Sequence, residues 1–334
     1  MKHRLGARSC SREVELDGPL DIAASVEGFR RWGDDLLDRW DGSTLLRTIR
    51  IGGEAVALAC TPTGTITAPR LRVTTADPDH LDSAAAAAAR FFATVAPATL
   101  QRLTDADPVV AAAEQLQPGA RPVLQPDILT ALVRSISAQQ INLRFAAVVR
   151  ARLARRYGRR HEIDGHEVWS LEPATLAAAS AQDLRELQFT TRKSEYVIGV
   201  ARAVLGGSLD AQRLVGLADE QVIAELVALP GVGRWTAEWL LARSFGRPVV
   251  VAGDLGVRKA IGRAYGDGSM PSEDEVRRRT AHWGEAAGVA QQLLLNVLAA
   301  DRWDELRQTA VSAAARPAPR SPGRPPRPRA ARAG

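Results

Sequence analysis

A chain of 334 residues, 46% of them apolar, is long enough for two or three domains with true cores. It contains no run of about 18 apolar residues, which excludes a spanning helix by pattern. The opening MKHRLGARSCSREVELDG lacks the apolar stretch of a signal peptide, so the expected location is the cytoplasm, with no membrane partner. The formal charge of +6 is concentrated in one place. Arg316, Arg320, Arg324, Arg327, Arg329 and Arg332, in a closing stretch without acids, account for all of it. Whole-chain charge is therefore no signature of nucleic-acid binding by the folded part. Cys10 and Cys60 cannot supply the four ligands of an iron–sulfur cluster and have no zinc-ribbon spacing, so no such cluster is expected. The five histidines lack metal-ligand spacing, and no nucleophile elbow or phosphate-binding loop occurs.

Along the chain, residues 11–75 alternate apolar and polar in SREVELDG and in LLRTIRIGGEAVALACTPTGTITAPRLRVTT. Gly52-Gly53 and Thr61-Pro62-Thr63-Gly64 are the expected turns between strands. IAASVEGFRRWGDDLLDRW interrupts them with a helical pattern, and DSAAAAAARFFATVA follows as another. The expected fold is an α+β domain over residues 1–104, a small antiparallel sheet with helices. An all-α region then runs over 105–312. There Asp127 is placed to cap ILTALVRSIS, and helical patterns recur through QQLLLNVLAADRW. The Pro/Arg-rich tail 313–334 cannot bury a core and is expected to be disordered. It is either a basic arm for phosphates or an incidental extension.

The informative stretch is DEQVIAELVALPGVGRWTAEWLLARSFGRPVVVAGDLGVRKAIGRAYG, residues 219–266. Pro230 cannot continue the helix before it. Gly231 and Gly233 permit a hairpin with positive φ and a close approach of backbone to ligand. The next helix starts near Arg234, and its N-terminal N–H groups make an anion site suited to a DNA phosphate, with Arg234 adding charge. A tight helix–helix turn would use the same residues. Asp254 lies 21 residues beyond Gly233 and opens a further helix. It is either an ordinary N-cap or a carboxylate held ionised at a helix N-terminus. Cleaving an N-glycosidic bond builds positive charge on the sugar, which a carboxylate stabilises, or the carboxylate orients the attacking water.

Leu229-Pro230-Gly231-Val232-Gly233 followed by Asp254 resembles the helix-hairpin-helix, Gly/Pro-Asp superfamily of DNA glycosylases. Gly233-Arg234-Trp235-Thr236-Ala237 and Ala252-Gly253-Asp254-Leu255-Gly256 are similar to its 3-methyladenine DNA glycosylase II branch. The segment Val133–Ile141, VRSISAQQI, resembles the helix-loop-helix that pushes a side chain into the DNA stack. The likeness covers roughly residues 18–305. It implies base-excision repair of duplex DNA carrying damaged bases, by a monomer that needs no cofactor. Asp254 would be the catalytic residue. Gly231, Val232, Gly233, Arg234 and Thr236 would contact DNA, with Gln140 or Ile141 as the wedge. Trp235, Trp239, Leu255 and Gln139 would form the base pocket. Trp235 and Trp239 stand at i, i+4 and could equally be core. As a pocket wall they would gain roughly 0.5–2 kcal/mol of cation–π attraction to a cationic alkylated purine. The main-chain carbonyls of Val227, Leu229 and Gly231 would hold Na+ or K+.

Bifunctional relatives carry a Schiff-base lysine two residues after the hairpin's last glycine. Trp235 stands there, which implies a monofunctional enzyme that uses water and leaves an abasic site. One departure concerns the pocket. After His282-Trp283 the chain reads Gly284-Glu285-Ala286-Ala287-Gly288, where the branch has a proline, an aromatic and Arg-Ser. Substrate range is open on that account. A non-catalytic helix-hairpin-helix DNA-binding or lesion-sensing protein is the alternative, and an all-α interaction module would leave the hairpin and Asp254 coincidental.

Overall fold

The computed structural model describes residues 9–314. The N-terminal part holds β1 (Cys10–Glu15), α1 (Ile22–Arg31), β2 (Asp38–Trp40), β3 (Leu45–Ile51), β4 (Glu54–Gly64), β5 (Pro69–Thr75) and α2 (Leu81–Ala88). Its five strands form one antiparallel sheet in the order β1-β5-β4-β3-β2. Gly52 and Gly53 both take positive φ, +57° and +88°, in the β3–β4 hairpin, as a two-residue turn demands. The expected turn at Thr61–Gly64 is instead strand. Pro62 pairs with Leu71, beyond Cys60, where β4 has outrun β3, so its missing N–H interrupts no ladder. The helical pattern after Ile22 also stops early. Gly33, at φ +103°, ends α1, and Asp38–Trp40 turn into the edge strand.

The remaining chain runs α3 (Pro97–Ala106), α4 (Pro108–Leu116), α5 (Ile128–Ala138), α6 (Leu143–Tyr157), β6 (Gly158–Ile163), β7 (His166–Leu171), α7 (Pro173–Ala178), α8 (Ala181–Glu186), α9 (Thr191–Leu205), α10 (Ala211–Val215), α11 (Asp219–Val227), α12 (Arg234–Ser244), α13 (Leu255–Tyr265), α14 (Glu273–Thr280), α15 (Ala287–Ala300) and α16 (Trp303–Ala314). Asp127 caps α5, accepting from the Thr130 N–H at 2.8 Å. The helical region carries one two-stranded hairpin, β6–β7, whose Ile163 and Val168 pack against Leu46 and Ala59 of the sheet. A boundary after residue 104 falls inside α3, whose Leu100 and Leu103 belong to the core of the C-terminal helices. The tail from 315 onward lies outside the described residues, and its first two positions, 313 and 314, close α16. Among the described residues no helix is long and apolar enough to cross a membrane.

The helices bury two separate cores. One gathers Leu132, Ile136, Leu153, Val197, Leu226, Val232 and Leu240 from α5, α6, α9, α11, the hairpin and α12. The other gathers Val110, Val257, Ile261, Trp283, Leu293 and Val297 from α4, α13, the turn before α15, and α15. The chain crosses from the first core to the second between α12 and α13, which is where Trp235 and Asp254 lie. A buried charge network ties the N-terminal part to α5 and α6. Arg134 binds Asp35 at 3.0 Å and Asp38 at 2.6 Å, Arg150 binds Asp35 at 2.8 Å, and Arg47 binds Asp38 at 2.8 Å.

Candidate active site

α11 ends at Val227, the chain turns through Leu229–Gly233, and α12 begins at Arg234. The Val232 N–H closes the turn on the Leu229 carbonyl at 3.1 Å. Gly231 has φ +84°, and a Cβ there would lie 2.2 Å from the Tyr196 ring, so glycine is required twice over. Gly233 differs from the expectation. Its φ is −91°, an ordinary value, and a Cβ there would meet nothing within 4 Å. What Gly233 contributes is an open approach to the first turn of α12, which no side chain caps. Uncapped N–H groups at a helix N-terminus attract an anion.

Three of the side chains assigned to DNA contact are engaged elsewhere. Arg234 is bound to Glu220 at 2.8 Å and to buried Glu238 at 3.0 Å, and Arg277 shares Glu238 at 3.0 Å. Its side chain is half exposed and shares its charge with these two acids. Thr236 is buried and accepts the Ser135 hydroxyl at 3.2 Å, and the Val232 side chain is buried in the core. Only the main chain of these two remains available.

Asp254 is the N-cap of α13. Its Oδ1 accepts the Val257 N–H at 2.9 Å, while its Oδ2 accepts the Trp235 indole N–H at 3.1 Å. Cap and acid–indole pair thus coexist in one carboxylate, each oxygen keeping lone-pair capacity for a further partner. Leu255, 52% exposed, lies beside it on the open side. Trp239, one turn on from Trp235, is partly buried and packs against the first helical core. Gln139 has a partner in the hairpin. Its Nε2 donates to the Gly231 carbonyl at 3.2 Å, so it braces the hairpin. Gln140, at φ +56°, and Ile141, 37% exposed, form the tip of the loop between α5 and α6.

Sequence reasoning passed over Arg243. It stands four residues after Trp239 and eight after Trp235 on α12, a spacing that would have signalled a shared face. Its side chain is partly buried. Burial pushes it down to about 10, and the charge of Asp254 opposes that fall. At neutral pH it is a cation within electrostatic reach of Asp254.

The departure after Trp283 has a structural counterpart. Asp107 accepts Tyr265 Oη at 2.6 Å, pairs with His282 Nε2 at 2.8 Å, and accepts the Trp283 indole N–H at 3.3 Å. Trp283 is thereby anchored in the second core. Gly284 follows at φ +48° with nothing within 4 Å of its Cβ direction. A cavity of about 290 Å³, lined by Arg234, Glu238, Arg277 and Thr280, opens at Gly284.

The hairpin, Gln139 and Tyr196 line a second concavity of about 480 Å³. Among the described residues no cluster of His, Cys, Asp or Glu is placed to hold a metal ion. The hairpin carbonyls are a different donor set. Those of Leu229 and Gly231 each accept one hydrogen bond, from Val232 and Gln139, which leaves each a second lone pair.

Residues 133–286 match the family described as HhH-GPD superfamily base excision DNA repair protein. Over that span, a little under half of its length, the chain is similar to the HhH-GPD superfamily. A Bacillus subtilis DNA-3-methyladenine glycosylase is 29% identical over 59% of this chain and 65% of its own length. The Escherichia coli DNA-3-methyladenine glycosylase 2 is 30% identical over 45% of this chain and 51% of its own. The chain thus spans between about a third and two-thirds of the length of the curated relatives it matches. A solved 3-methyladenine DNA-glycosylase from Archaeoglobus fulgidus shares the fold. It has a TM-score of 0.75 over 87% of this chain and 98% of that one, at 23% identity. Within the superfamily, these relatives carry names of the branch that the Gly233–Ala237 and Ala252–Gly256 segments resemble.

The Trp235–Asp254 pair yields a direct expectation. Trp235→Phe keeps the ring but removes the donor to Asp254 Oδ2. A hydrogen bond to a charged group is worth about 1.5–3 kcal/mol. Single-turnover base release is therefore expected to slow about tenfold or more, with affinity for abasic duplex little changed. A rate equal to wild type would show that the indole N–H does not orient the carboxylate.

Proposed function

We propose that this protein is a monofunctional DNA N-glycosylase of base-excision repair, which flips an alkylated purine of the 3-methyladenine or 7-methylguanine type from duplex DNA and hydrolyses its glycosidic bond. The observation that carries this is Asp254, a carboxylate at a helix N-terminus, oriented by Trp235 and reached from an uncapped hairpin. The hairpin N–H groups would take a phosphate while Gln140 or Ile141 fills the space the base has left. Unstacking costs a few kcal/mol, which such a wedge offsets. Asp254 would then stabilise positive charge on the sugar and orient water. A phosphate bridge or lesion sensor would have no use for that carboxylate. Na+ or K+ on the main-chain carbonyls of Val227, Leu229 and Gly231 belongs to the same proposal, adding positive charge against the DNA backbone. The protein would act as a cytoplasmic monomer on duplex DNA.

Because Trp235 occupies the position of the Schiff-base lysine, the strand should stay intact until alkali cuts the abasic site. The test is release of methylated bases from duplex DNA, with the strand analysed before and after alkali. Free 3-methyladenine or 7-methylguanine with a strand cut only after alkali is expected. Cleavage without alkali would overturn the monofunctional assignment, and no release of either base would overturn the substrate class.

A further inference from the structure

In a chain with 44 basic residues, only Lys2, Lys193 and Lys259 are lysines. Lys193 lies in the first turn of α9, and its Nζ donates to two main-chain carbonyls, Ser137 at 3.0 Å and Gln139 at 2.6 Å. Those carbonyls close α5 and open the loop that carries Gln140 and Ile141. A compact ammonium with rotatable donors suits two carbonyls converging on one point, which a planar guanidinium does not. One turn further along α9, the Tyr196 ring packs directly under Gly231. From the loop side, the Gln139 amide reaches the Gly231 carbonyl at 3.2 Å. Lys193, Gln139 and Tyr196 thus form a closed circuit: α9 to loop, loop to hairpin, hairpin to α9.

We infer that Lys193 is a positioning residue for base flipping, holding the Gln140–Ile141 loop in fixed register with the phosphate-binding hairpin so that gripping the strand and filling the stack occur as one event. The inference rests on the glycosylase proposal for its reaction, but its geometry does not involve Asp254. The ammonium is partly desolvated, and its pKa is drawn down by that burial, while both carbonyls turn toward it. The strength of the tether comes from charge-assisted hydrogen bonds. Without it, the loop would be held only by α5, α6 and the single Gln139 amide bond to Gly231, and Gln140 would be less firmly placed relative to Gly231. A wedge matters where a base pair must be opened and matters little where the base is already unstacked. Loss of the tether should therefore act on duplex substrate selectively.

The test compares wild type with Lys193→Met and Gln139→Leu on the full chain. The first probe is a duplex with 2-aminopurine opposite a tetrahydrofuran abasic analogue, in which loop insertion unstacks the fluorophore without any bond being cleaved. Lys193→Met is expected to slow the fluorescence rise about tenfold, the size of a lost charge-assisted pair. Gln139→Leu should act in the same direction, and the double variant should be less than additive, because both changes open one circuit. The second probe is 7-methylguanine release, for which the duplex to single-strand rate ratio should fall about tenfold in Lys193→Met. Thermal unfolding of each variant is recorded alongside. An unchanged fluorescence rise, or a fall in melting temperature with an unchanged ratio, would overturn the inference. If wild type releases no base from either strand form while the fluorescence contrast persists, the glycosylase proposal fails and the role of Lys193 stands.

Discussion

Asp254→Asn is expected to lower single-turnover release of 7-methylguanine from duplex DNA about a thousandfold, while affinity for abasic duplex stays within about threefold. The two parts of this expectation have separate causes. Asparagine is nearly isosteric, and its amide oxygen can still accept the Val257 N–H, so the start of α13 survives. Binding should also be preserved because the hairpin proposed to grip the strand belongs to a different segment. What disappears is negative charge at the point where the sugar becomes positive. The change also leaves the Trp235 indole N–H facing an uncharged amide. Arg243 would then be a partly buried cation with no carboxylate opposite it, which further disfavours a cationic sugar. Release within tenfold of wild type would remove Asp254 from the chemistry. A collapse of both binding and melting temperature would reduce it to a helix cap.

How much of this was legible in the sequence depends on how local each cause is. Gly231 and Pro230 act through their own backbone, so the hairpin could be read from five residues, and Asp127 and Asp254 cap the helices directly after them. The assignments that moved concern side chains whose partners are distant in sequence. Arg234 has one partner, Glu220, 14 positions away, while the other, Glu238, stands at i+4 on the same helix and was open to sequence reading. Gln139 looked like a pocket residue because nothing in VRSISAQQI announces that Gly231 will stand opposite it. Trp239 illustrates the limit of periodicity, since i, i+4 spacing fixes a shared face and says nothing of what that face meets. Thr61–Gly64 misled for another reason. Pro62 is a turn residue by propensity, and only the short reach of β3 makes its place in β4 harmless. The β6–β7 hairpin escaped because GRRHEI and HEVWSL carry charges on a helical background, and their strand character comes from pairing with each other and packing on Leu46.

Arg134→Met is expected to lower the melting temperature by roughly 10 °C at neutral pH. Arg134 lies on α5, just over one turn before its end at Ala138, and is buried against Phe29 with Asp35, Asp38 and Gln125 around its guanidinium. Methionine fills much of the space but leaves two buried carboxylates short of a cation. Removing one partner of a buried pair costs about 3–5 kcal/mol, more than the pair itself is worth, because the other charge stays desolvated. The pH dependence identifies the cause. Burial alone would push the Asp35 carboxyl up, yet Arg134 and Arg150 outweigh it and hold the group down to about 2, against an ordinary value of 3.8. A depressed folded-state value means that Asp35 contributes stability above pH 3.8 and loses it as pH falls toward 2. In the variant Arg150 is the remaining cation on Asp35, so the carboxyl rises and that contribution shrinks. The melting-temperature gap between wild type and Arg134→Met should therefore be widest near pH 6–7 and narrow as pH falls from about 4 to 3. A gap that is constant over this range would mean that lost packing, not stranded charge, sets the cost. Because α5 ends in the loop that Lys193 tethers, the same variant should also slow loop insertion. That would link the N-terminal sheet to base flipping through a single buried guanidinium.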